Sequence, residues 1–113
     1  MTINDITKRI ASGETARAIV EEVLASAEAA SGYNAIISVL RDRALQRAIE
    51  VDAQIKAGKG GRLAGVPFIA KDNFLTFGGK TTAASNMLKP FEAPYQSTAV
   101  ERLEAEGAIV IAK

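Results

Sequence analysis

Apolar residues recur at helical spacing through the first half of the chain. Ile3, Ile6 and Ile10 mark one face of a short helix that Thr2 can cap and Ser12-Gly13 stops. Ile19, Val20, Val23, Ala27 and Ala30 mark a second, capped by Thr15, running to about Ala30 and closed by Ser31-Gly32. A third covers about Arg41 to Ala57, with Ala44, Leu45, Ala48, Ile49 and Ile55 inward and Gly58 as its stop. Between the second and third, Asn34 to Leu40 is short and β-branched and predicts a strand.

The pattern changes beyond residue 62. Val66-Pro-Phe-Ile-Ala70 is a continuous apolar run that predicts a buried strand, with Pro67 tolerated near its start. Residues 72–97 lack periodicity and carry Gly78-Gly79, Thr81-Thr82, Pro90 and Pro94, which predicts a long ordered loop of the kind that usually has a function. Ser97 or Thr98 caps a helix through Val100, Leu103 and Glu106, stopped by Gly107, and Ala108-Ile-Val-Ile-Ala112 predicts a second buried strand. Strand, helical crossover and strand make a βαβ-like unit, so the two strands are expected to run parallel. The expected fold is α/β, with N-terminal helices packed on a partial mixed or parallel sheet. Residues 1–113 are expected to form a single partial domain, with a helical N-terminal region over 1–62 and a region of different character over 63–113. The chain stops one residue past an apolar strand, so it reads as a truncated piece of a larger fold.

Composition narrows the chemistry. With 14 basic and 13 acidic residues the charge is balanced, which argues against a polybasic nucleic-acid arm. There is no cysteine and no histidine, so disulfides, zinc fingers, Ser-His-Asp triads and Cys-His dyads are excluded within these residues. Catalysis would have to use Lys, Asp, Glu, Ser, Thr or Tyr. No apolar run approaches the roughly 18 residues of a membrane helix. Asp5 and Glu14 and the absence of a basic, apolar leader argue against a targeting segment, so the expected address is the cytoplasm.

Gly79-Lys80-Thr81 imitates the tail of a P-loop, but Phe74 stands where the pattern needs a glycine. Gly58, Gly60 and Gly61 follow a helix and read as a turn. Thr81, Thr82 and Ser85 lack an activating context and read as turn hydrogen-bonders. Phe68, Phe74 and Phe77 read as core or loop anchors, and Tyr95 as a staple of the loop. Lys71-Asp72-Asn73 is more informative, because it sits where a buried strand gives way to a long loop. A lysine there can be desolvated into a neutral, usable base. The competing reading, which chemistry alone favours, is a strand-end lysine paired with Asp72 or another carboxylate.

Leu63 to Asn73, Thr81-Thr-Ala-Ala-Ser85, Ala93 to Val100 and Glu106 to Lys113 together resemble the N-terminal portion of the amidase signature family. The likeness is strong over residues 63–113 and weaker before them. Within the family it is greatest to the glutamine-hydrolysing A subunits of aminoacyl-tRNA amidotransferases. The resemblance implies a serine nucleophile, a bridging serine in a cis peptide and a lysine base, and Lys71 matches the family's lysine. It implies no cofactor bound by this chain, with ATP and Mg2+ used at a partner subunit. It implies subunits B and C and aminoacyl-tRNA as partners, glutamine as substrate, and no membrane. The departures are specific. Ser12, Ser26, Ser31, Ser38, Ser85 and Ser97 lie outside any Gly/Ser-rich signature, and Ala112 stands where glycine is common. On that basis the chain alone is expected to be inactive. A small-amide hydrolase of the same family and a non-catalytic α/β interaction module are the alternatives.

Overall fold

Capping side chains start the first two helices where the sequence puts them. The computed structural model describes residues 1–113, with α1 over Ile3–Ala11, α2 over Ala16–Ala29 and α3 over Arg41–Lys56. Thr2 Oγ1 accepts from the Asp5 amide at 3.2 Å, and the Asp5 carboxylate accepts from the Thr2 amide at 2.7 Å. That backbone donor, followed by the Thr2 hydroxyl, holds the Asp5 carboxyl below its usual range. Thr15 Oγ1 accepts from the Ala18 amide at 3.1 Å. Asp52 of α3 adds a second cap, accepting from the amides of Ala16 at 2.7 Å and Arg17 at 3.2 Å. The α2 N-terminus is thereby anchored to α3. Behind this anchor Ala16, Val20 and Leu24 pack on Ala44, Ala48 and Val51, all fully buried. The alanines leave room for the helices to approach closely.

The same cluster takes in Ile109 and Ile111 of strand β2, which spans Ile109–Ala112. Its partner β1 spans Pro67–Ile69 and pairs with it in parallel, Pro67 opposite Ile109 and Phe68 opposite Val110. The register shifts between Phe68 and Ile69. Val110 points away from the helices and meets Leu40, Ala70 and Phe68. Both faces of β2 are therefore covered, which is why it reads as an unbroken apolar run. The crossover carries α4, Thr98–Ala105, started by the Ser97 hydroxyl, which accepts from the Val100 amide. The end of α4 is stitched to the turn before β1. Leu63 donates to the Glu106 carbonyl at 2.9 Å and Gly65 to the Gly107 carbonyl at 3.0 Å.

Several expectations fail, among them the burial of β1, whose Ile69 is 54% exposed. Residues 34–40 form no strand. Ser31–Tyr33 is a 3-10 turn, Asn34 is left-handed at φ 51°, and a single antiparallel bridge joins Val39 to Ala112. The segment nevertheless lies along β2, with Leu40 donating to the Ile111 carbonyl at 2.8 Å and Lys113 to the Ser38 carbonyl at 2.8 Å. Its β-branched content gives edge pairing but not a ladder, because a helix starts at Arg41. Ile49 is exposed and Val51 takes the inward place on α3. Tyr95 is 63% exposed and staples nothing. Phe74 and Phe77 are exposed rather than core, and Phe68 alone of the three packs on a buried cluster.

Candidate active site

Strand pairing persists one residue beyond β1, where the Ala70 amide donates to the Ala112 carbonyl at 3.1 Å. The chain then turns through Lys71-Asp72-Asn73-Phe74, closed by the Phe74 amide donating to the Lys71 carbonyl at 2.9 Å. This delivers Lys71 to the carboxyl end of a parallel strand, where open α/β sheets place their ligands. The side chain is exposed. On one side it borders a groove of about 320 Å³ lined also by Ile37, Asp72, Asn73, Ala83 and Ala84. On the other lies an apolar pocket of about 150 Å³ that includes Phe68, Ile69, Phe74 and Leu103. Larger hollows of about 490 and 460 Å³ lie elsewhere and do not contain Lys71.

The groove's far wall is strained. Ala83 and Ala84 hold φ of 47° and 57°, a left-handed conformation that costs a non-glycine residue about 1–2 kcal/mol. Hydrogen bonds hold it there. Ala83 donates to the Asp72 carbonyl at 2.8 Å, Ala84 to Thr82 Oγ1 at 3.2 Å and Ser85 to the Thr82 carbonyl at 2.8 Å. Thr82 is thus a turn hydrogen-bonder, and neither Thr81 nor Ser85 is joined to Lys71.

Asp72 does not pair with Lys71. It is 5% exposed and turns inward, where Oδ2 accepts from the Thr82 amide at 3.1 Å and from the Thr82 hydroxyl. Its other oxygen lies 3.7 Å from Lys113 Nζ and has no hydrogen-bond donor. The desolvated lysine of this region is therefore Lys113, whose side chain is wholly buried. Its amine donates to the Phe74 carbonyl at 2.5 Å, Thr76 Oγ1 at 3.1 Å and Thr81 Oγ1 at 3.3 Å. Burial pushes the Lys113 amine below its usual range, Asp72 opposing and Arg43 adding to the effect. Sequence reasoning passed over Lys113. The available signal was a lysine ending an apolar strand that lies beside the strand feeding Lys71. Lys80, the P-loop imitation, forms an exposed ion pair with Glu92 at 2.6 Å.

The carboxyl end of β1 thus leads into Lys-Asp-Asn, with the Thr-Thr-Ala-Ala-Ser turn bonded to it through Asp72. The sequence matches the Amidase family over residues 18–113, and the chain belongs to that family. The A subunit of glutamyl-tRNA(Gln) amidotransferase from Thermosynechococcus vestitus is 48% identical over 81 residues, 71% of this chain and 17% of that protein. The protein of the same name from Deinococcus deserti is 38% identical over 113 residues, covering 99% of this chain and 23% of its own length. The solved native peptide amidase of Stenotrophomonas maltophilia superposes on 100% of this chain and 24% of its own, with a TM-score of 0.87 and 28% identity. The chain thus spans less than a quarter of the length of these two curated relatives.

Proposed function

We propose that this chain is the lysine-bearing segment of a glutamine-hydrolysing amidase, the A subunit of an aminoacyl-tRNA amidotransferase. The observation that carries the reading is Lys71, exposed at the carboxyl end of β1 beside a groove and free of its sequence-adjacent carboxylate. The relatives named as A subunits of glutamyl-tRNA(Gln) amidotransferase support the choice of branch.

In this reading Lys71 is the base of a Ser–cis-Ser–Lys triad. Its neutral amine takes the proton relayed from the nucleophilic serine through the bridging serine. The serine oxygen adds to the glutamine side-chain carbonyl, the C–N bond breaks, and the proton returns to the departing nitrogen, which leaves as ammonia. Water then cleaves the acyl-enzyme to glutamate. Both serines belong to the part of such proteins that this chain does not span, and residues 63–113 open the catalytic core. Ammonia goes to amidate aminoacyl-tRNA in a cytoplasmic complex with subunits B and C, where ATP and Mg2+ are used at a partner subunit. This chain binds no cofactor.

The test places this segment in a protein that continues into the Gly/Ser-rich signature. Lys71→Met lowers ammonia release from glutamine by about 10³-fold with folding retained. Near-normal turnover in a folded variant would reassign the base. The 113-residue chain by itself releases no ammonia from glutamine. The likeness to a peptide amidase gives a second reading, hydrolysis of another amide. Turnover of C-terminal peptide amides in preference to glutamine would favour it.

A further inference from the structure

The buried Lys113–Asp72 assembly has no part in the proton relay, yet it lies directly behind the residue that does. Three acceptors surround the Lys113 nitrogen at 2.5, 3.1 and 3.3 Å. The Thr76 hydroxyl in turn reaches the Phe74 carbonyl at 3.1 Å, which leaves its own lone pairs for the lysine. Three oxygens around the nitrogen match the three N–H donors of an ammonium. The carboxylate facing it is Asp72 at 3.7 Å, which favours the ammonium form against the burial that opposes it. Arg43 is the other charge that acts on Lys113. It is itself clamped by Glu104 at 2.7 and 3.1 Å. The grooves that border Lys71 contain one ionisable neighbour, Asp72.

A carboxylate adjacent to a lysine favours the ammonium form, which is the wrong form for a base. We infer that Lys113 is a positioning residue that draws the Asp72 carboxylate inward and neutralises it, so that Lys71 stands free on the opposite side of the turn. The inference rests on the reading of Lys71 as the base and extends it to a cation that keeps that base available. Thr82 shares the task by bonding the second Asp72 oxygen, and through the Asp72 carbonyl and the Ala83 amide it ties the strained wall to the same point.

The test is the acetylation rate of Lys71 in the full chain with acetic anhydride at about pH 8, read by mass spectrometry against exposed Lys59 as internal reference. Only the neutral amine reacts, so the rate reports its fraction. Lys113→Met slows Lys71 about 5- to 10-fold relative to Lys59, the effect of one unit charge released nearby at a partly solvated site. Adding Asp72→Asn to that variant restores the rate. Asp72→Asn alone speeds Lys71 by a similar factor, because the Lys113 ammonium is left without its counter-charge. An unchanged rate in folded Lys113→Met, or an unchanged or lower rate in Asp72→Asn, overturns the inference. Asp72→Asn is nearly isosteric, so it still tests the inference if Lys113→Met does not fold. These rates do not depend on turnover, and loss of activity in Lys71→Met tests the base separately.

Discussion

Lys71 is held in place by a seam in which two glycines let backbone meet backbone, and three alanine substitutions separate the forces there. At Gly58 φ is +70° with nothing within 4 Å of an added Cβ, so alanine meets conformational strain alone. That strain is about 1–2 kcal/mol, partly offset by about 0.4–1 kcal/mol from a stiffer unfolded chain, for a net loss near 1 kcal/mol. At Gly61 φ is ordinary, but a Cβ would run into the Glu106 carbonyl oxygen and lie 2.6 Å from its Cα. Backbone cannot rotate away, so the turn before β1 must part from the end of α4, at about 1–3 kcal/mol or more. At Gly107 both apply, with φ at +88° and a Cβ 2.7 Å from the Ala64 Cα, giving about 2–5 kcal/mol. Urea unfolding followed by far-ultraviolet circular dichroism measures all three. The expected order is a small loss for Gly58→Ala and distinctly larger losses for Gly61→Ala and Gly107→Ala. Three losses equal within about 0.5 kcal/mol would refute the claim that close approach, rather than φ, governs this seam.

The other expectations concern charge and capping. Glu14, Glu92 and Glu106 are held below the usual carboxyl range, each chiefly by a side-chain hydrogen bond from Arg9, Lys80 or Arg62. Lowered folded-state values mean stability that is complete above the unfolded value of about 4.3 and is lost as pH falls through the folded ones. The melting temperature should therefore drop below about pH 4, and Arg62→Ala should make that drop shallower. High salt should do the same, since none of the three pairs is buried. Thr15→Ala should cost about 1 kcal/mol through loss of one cap. Asp52→Ala should cost more, about 1.5–3 kcal/mol, because its carboxylate bonds two α2 amides, one of them on the fully buried Ala16. Equal losses from the two changes in denaturant would mean that the link between α2 and α3 adds nothing beyond the cap.

The helices, the two parallel strands and the position of Lys71 were legible along the chain, because each depends on signals a few residues apart. Thr2, Thr15 and Ser97 are local acceptors for amides three residues on, and helical or continuous apolar spacing is visible over one element. What distant residues do to one another emerged only on packing. Residues 37–40 became an edge along β2 instead of a strand because α3 begins immediately after them. The partner of Asp72 was settled the same way. Adjacency in sequence suggested Lys71, but the turn that begins at Lys71 sends Asp72 inward, and the parallel pairing of β1 with β2 carries Lys113 to it. A local pattern can place a lysine at the end of a strand. Only the packed sheet determines which lysine is buried with the carboxylate and which is left facing the groove.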